Sequence, residues 1–158
     1  MANLDNSNKT LLSGLVQLLR DEVDGWSESS EYNVDNVWPT SPPVDANDEL
    51  PRGVVDFITG SDFELSIDLD VKLREVTVRI VVFTERPGDA EDLIDNCETA
   101  ISDKWDATNP DTGNSYTGDW TFRETDGFTP LVEDTDSAEK LRYNRSIDLI
   151  FETVKTNN

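Results

Sequence analysis

The sequence contains no histidine. That absence removes Ser-His-Asp and Cys-His nucleophilic systems, imidazole-held zinc, and the one side chain whose unperturbed pKa lies near neutrality. A single cysteine, Cys97, excludes an intrachain disulfide, and its place on the apolar stripe of a predicted helix reads as packing, not chemistry. Cations are scarce as well: 13 Lys and Arg stand against 34 Asp and Glu, and the lysines are scattered at positions 9, 72, 104, 140 and 155. Affinity for phosphate comes mainly from clustered cations, so direct binding of nucleic acid is not expected. Long apolar runs are missing too. The strongest is Ile80-Val81-Val82-Phe83, far below the roughly 20 residues that cross a bilayer, and no charged N-terminal region leads into an apolar signal core. The expectation is a soluble chain made without a secretion signal and with no membrane partner.

What is abundant is acid. A formal net charge of −21 over 158 residues repels itself at ordinary ionic strength, whereas in molar salt the Debye length shrinks to about 3 Å and the repulsion is screened. Aspartate is the commonest acid and arginine the preferred cation, as in proteins of salt-in halophilic microbes. The composition reads as that of a protein made for concentrated salt. An acidic disordered chain is the alternative, but such chains lack the regularly spaced aromatic and β-branched residues found here. The length suits a single domain over residues 1–158.

From Ser7 to about Asp24, the residues Leu11, Leu12, Leu15, Val16, Leu18, Leu19 and Val23 recur at helical spacing, with Ser7 or Asn8 placed to cap and Gly25 to end the helix. Trp26 is placed to fold back on the last turn. A loop over about 27–50 is rich in Ser, Pro and acids; within it Tyr32, Val34, Val37 and Trp38 either fasten the loop to the body, form a short edge strand, or mark a partner-binding patch. Gly53 to Thr59 reads as a strand and Gly60-Ser61 as a tight turn. The alternation of Phe63, Leu65, Ile67, Leu69, Val71 and Leu73 then changes phase to Val76, Val78, Ile80 and Val82. That shift predicts either a hairpin turn within 69–75 or a β-bulge.

Pro87-Gly88 ends the strand, Asp89 is placed to cap, and Ala90, Leu93, Ile94, Cys97, Ile101 and Trp105 form a second helical stripe. Residues 108–118 are turn chemistry, Trp120 and Phe122 mark a short strand, and 124–138 read as a second long loop, in which Phe128 and Leu131 are anchors or a local plug. A last strand runs from Leu141 to about Val154, with Leu141, Tyr143, Ile147, Leu149 and Phe151 on one side. The expected class is α+β: a mostly antiparallel sheet of about four to five strands with two helices packed on one face.

No reactive constellation emerges. Asp68 with Asp70, and Glu85, Glu91 and Asp92 around a helix start, are carboxylate pairs that a chain this acidic produces by chance, and they read as solvated surface. Asp134-Thr-Asp136 begins like a calcium loop but lacks the later glycine and glutamate. Gly53, Gly60 and Gly88 do not form a phosphate-binding pattern, and the Asn-X-Ser/Thr triplets at Asn8 and Asn144 are weak glycosylation matches. The expectation is no enzyme, no cofactor and no metal.

An amphipathic first helix precedes a strand near Pro51-Arg52-Gly53-Val54-Val55. A charged strand pair ends in Val78-Arg79-Ile80-Val81-Val82-Phe83-Thr84, and Pro87-Gly-Asp-Ala-Glu-Asp-Leu-Ile94 opens the second helix. A strand like Trp120-Thr-Phe122 and a closing strand like Leu141–Val154 follow. This order, residues 79–105 in particular, resembles the tail-completion, or tail-terminator, proteins of long-tailed viruses. The resemblance spans nearly the whole chain; the long loops are where it departs. It implies a subunit of a hexameric ring at the head–tail junction of the virion, assembled in the host cytoplasm. Such a ring caps the tail tube and joins it to the neck or connector protein, while DNA passes through the lumen without specific binding. Together with the composition it suggests a virus of a halophilic archaeon. Apolar side chains in charged loops mark interfaces, which makes Trp38, Phe128 and Leu131 the candidate contact residues. The alternatives are another neck or tail subunit, such as a stopper or tube protein, and a non-viral halophilic binding module.

Overall fold

The structure, a computed structural model, describes residues 6–29, 32–40, 49–65, 71–135 and 140–156. Helix α1, Asn8–Glu22, starts where the Ser7 hydroxyl accepts the Thr10 N–H at 3.1 Å, satisfying one of the amides that a helix start leaves without a partner. Its stripe buries Leu11, Leu15, Val16, Leu18 and Leu19. The helix stops at Val23, which is extended, and Gly25 takes φ +107°, a backbone that favours glycine. Trp26 then folds back as expected, its indole N–H donating to the Leu19 carbonyl at 3.0 Å. A Cβ on Gly53 would come within 2.8 Å of that indole ring, so glycine lets strand and tryptophan close up.

Among the described residues six strands form one sheet: β1 (Val37–Pro39), β2 (Arg52–Glu64), β3 (Val71–Thr84), β4 (Thr121–Phe128), β5 (Val132–Thr135) and β6 (Leu141–Thr156). Their order is β1-β2-β3-β6-β4, with β5 continuing the β4 edge along β6. Every pairing is antiparallel except β1 with β2. Helix α2, Pro87–Lys104, packs with α1 on the face where Val76, Val78, Ile80 and Val82 of β3 meet Ile147, Leu149 and Phe151 of β6. Trp120 plugs the end of this core, fully buried, with its indole N–H on the Ser7 carbonyl at 3.0 Å. The class is α+β, as the periodicities imply.

Four details differ from the sequence reading. Gly60-Ser61 is no turn: β2 runs through it to Glu64, and the irregularity is a bulge between Phe57 and Thr59. The phase change at 74–75 is neither a turn nor a bulge, because β3 is unbroken there. Leu73 and Val76 simply face opposite sides of one strand, and the hairpin connection lies before Val71, where Leu65 N–H donates to the Val71 carbonyl. Ile67, Asp68, Leu69 and Asp70 lie outside the described residues. Asp89 is not the cap of α2. Arg86 holds that position without a side-chain bond, Pro87 occupies the first turn, where its missing N–H costs nothing, and Asp89 sits beside it at the positive end of the helix. Last, the loops at 27–50 and 124–138 contain strands, which brings the sheet from the expected four or five strands to six. The acids of 124–134 occupy an edge strand, where charged side chains reach water.

Candidate interaction surfaces

The sheet face opposite the helices has no cover among the described residues. It carries the odd-numbered side chains of β3 and their cross-strand neighbours, and rows can be read from the register. Phe63, Leu73 and Val154 form one row across β2, β3 and β6. Phe63 and Val154 are 50% and 41% exposed, and Leu65, just beyond, is 55% exposed. The next rows are charged or mixed. Arg123 of β4 reaches Glu75 and, at 3.9 Å, Glu152. Arg79 holds Asp148 with two bonds of 2.8 and 3.1 Å. Farther along, the guanidinium groups of Arg52 and Arg142 lie 4.4 and 4.7 Å from the Phe83 ring.

Most arginines are thus spent inside the chain. Arg74 is bidentate to Asp62, Arg142 bonds Asp134 at 2.7 Å, and Arg145 reaches Glu91 at 2.5 Å. Arg20 donates to the Val37 carbonyl at 3.1 Å and lies over the Trp38 ring. Burial lowers its pKa, although Asp35 beside it works in the opposite direction; burial raises that of Asp35 itself. The bond from Arg74 holds the Asp62 carboxyl below its usual range. With the cations tied to internal partners, the outward balance is acidic, and such a surface repels polyanions.

The three predicted contact residues do not form one patch. Trp38 lies half-buried on β1, edge to face with Tyr32, whereas Phe128 is 51% exposed at the end of β4. These strands are the opposite edges of the sheet. Leu131 is half-buried and packs against the core, the plug-like of its two expected roles. The exposed row of Phe63, Leu65, Leu73 and Val154 was missed because its alternation reads as a buried face; the signal lay in two apolar sets, odd and even, following each other on one strand.

Among the described residues the candidate carboxylates are spent on arginines or exposed; Asp68 and Asp70 lie outside them. Glu91 is bonded to Arg145, Asp92 is exposed, Asp134 is held by Arg142, and Asp136 lies outside the described residues. Among the described residues no three His, Cys, Asp or Glu side chains converge as metal ligands. Cys97 is fully buried and burial pushes its thiol pKa up, which makes it a packing residue. Asn144 is half-buried in β6 and Asn8 lies in the first turn of α1.

No protein-family model matches the chain, and no curated protein does. Among solved structures it is similar to a chain of the virion of a native gene transfer agent particle, with 18% sequence identity, 93% of this chain and 95% of that chain covered, and a TM-score of 0.42.

Proposed function

We propose that this chain is a structural virion subunit of the head–tail junction: a tail-completion protein that caps the tail tube, joins it to the neck, and closes into a homohexameric ring around the DNA channel. The observation that carries the reading is the placement of partly exposed aromatic side chains at both edges of one sheet, with Trp38 and Tyr32 at β1 and Phe128 at β4. A head-to-tail ring needs two unlike surfaces on opposite sides of the subunit, and these edges supply them. The element order that resembles tail-terminator proteins supports the same reading. So does the internal pairing of arginines, which leaves an acidic wall past which DNA slides by like-charge repulsion.

The role is geometric. One rim of the ring docks the tube protein, the other docks the neck, and no bond is made or broken, so the chain is read as no enzyme. The net charge of −21 supports assembly in concentrated salt, as in a virus of a halophilic archaeon. Sedimentation of the purified chain in multimolar salt, with and without tail tubes, tests the reading. Six-copy species, alone or formed on tubes, support it; a species of one or two copies that ignores tubes refutes it and leaves the binding-module alternative.

A further inference from the structure

A sheet edge is a row of unpaired backbone groups, and soluble proteins close such rows with bulges, prolines, charges or a covering side chain. Among the described residues this sheet closes most of its edges. At β1 the Val37 carbonyl is taken by Arg20, the Val37 N–H by the Asp35 carbonyl, and Pro39 has no N–H to offer. At β4 two register shifts, after Phe122 and after Thr125, break the row within eight residues. At β2, however, β1 covers only Gly53 to Val55, and beyond the bulge the register from Thr59 to Glu64 is unbroken. Every residue from Ile58 to Leu65 is exposed.

Which backbone groups face outward follows from one bond. Leu65 N–H donates to the Val71 carbonyl, so 65 and 71 are a hydrogen-bonded pair. By the two-residue period Phe63, Ser61 and Thr59 also turn their backbone groups toward β3. Gly60, Asp62 and Glu64 therefore turn theirs to an edge that pairs with no strand among the described residues. On the sheet face opposite the helices, that edge carries Phe63 and Leu65, backed by Leu73 and Val154.

We infer that this edge pairs with the same edge of a second copy, antiparallel, about a two-fold axis at Asp62. The sequence of the edge is self-complementary in that register. Gly60, which has no side chain, comes opposite Glu64 of the other copy. Phe63 lies diagonal to its counterpart, so the two exposed apolar rows merge into one. Asp62 meets its own equivalent, and each is already held bidentate by Arg74, giving a quartet with two positive and two negative charges. A second copy fits because the Asp62 it brings opposite is already neutralised by its own Arg74, and because its Phe63 and Leu65 extend the same exposed apolar row. The remaining repulsion between two chains of net charge −21 is long-ranged and vanishes in molar salt. This pairing does not rest on the ring reading, and without a ring it gives a dimer.

The test is concentration-dependent sedimentation in multimolar potassium chloride, combined with amide hydrogen exchange. Mass is expected to double with concentration, to two copies where no ring forms. The amides of Gly60, Asp62 and Glu64 are expected to slow as mass doubles, while those of Ser61 and Phe63 stay slow throughout. Glu64→Pro removes an outward N–H and leaves the bonds to β3 in place, so it should halve the mass. Phe63→Ser should weaken pairing at least about tenfold. A mass that does not double, with the three edge amides fast at every concentration, overturns the inference. Protection of those amides only when tail tubes are added overturns the second copy in favour of a partner's strand. Failure of the ring reading shows separately, as a two-copy species that ignores tubes yet still splits with Glu64→Pro.

Discussion

Gly14 of α1 lies against the backbone of Tyr116, so closely that a Cβ on Gly14 would come within 1.7 Å of the Tyr116 carbonyl oxygen. The close approach brings the 108–118 turn segment onto the first helix, where the buried Tyr116 ring closes one end of the core. A backbone oxygen cannot rotate away as a side chain can. Gly14→Ala is therefore expected to cost about 3 kcal/mol, the upper end of the range for overpacking, despite alanine's better helix propensity. Urea unfolding in high salt measures it; an unchanged or raised midpoint contradicts the packing.

Tyr116 makes a second contact with α1, its hydroxyl donating to the Asp21 carboxylate at 2.7 Å. Burial first, and this bond second, hold the phenol above its usual pKa of about 10. The folded chain keeps a proton that the unfolded chain loses, so this contribution is whole below about pH 10 and falls as pH rises beyond it. Tyr116→Phe should cost about 1 kcal/mol at pH 7 and flatten the loss of stability between pH 9 and 11. Unfolding midpoints of parent and variant across that interval decide it. A steeper alkaline loss in the variant would be the wrong sign.

Much of this arrangement was legible in the sequence. The Ser7 cap of α1, the stripes of both helices, the fold-back of Trp26 and the inward set Val76 to Val82 were readable from residue type and from helical and two-residue spacing, because burial of one face writes that spacing, whereas the cap of α2 was not. The start of β4 at Phe122 was legible, but its continuation to Phe128 and the whole of β5 were not. Phe122, Thr125 and Phe128 break strict alternation because two bulges shift them, and the acids between them look like loop when they are only the wet side of an edge. Nor was the separation of Trp38 from Phe128, since strand order across a sheet is set by long-range pairing that no local pattern records. The exposed row at Phe63 was hidden for the opposite reason: an apolar alternation looks the same whether its face is covered by a helix or left bare.

Cys97 tests the core from another side. Its thiol is fully buried on α2 with its pKa raised by burial, so it should resist maleimide in the folded state and react only as fast as the chain opens. Cys97→Ser places a hydroxyl in the same apolar site and should cost roughly 1–3 kcal/mol. Rapid labelling of the native protein would refute the burial.

The acidic surface predicts a salt response. With most arginines bonded inside the chain, the outer acids have few protein cations near them and depend on dissolved ones. Raising potassium chloride from about 0.1 to 2 M should raise the thermal midpoint steadily, because the Debye length falls from about 10 Å to under 3 Å. A midpoint that is flat or falls over this range contradicts a chain fitted to concentrated salt.

The most direct measurement is electron microscopy of tail tubes in multimolar salt, before and after addition of the purified chain. The account predicts a closed ring seated at tube ends, with tube growth halted there. Tube ends that stay bare and continue to lengthen, with the chain left free in solution, would contradict it.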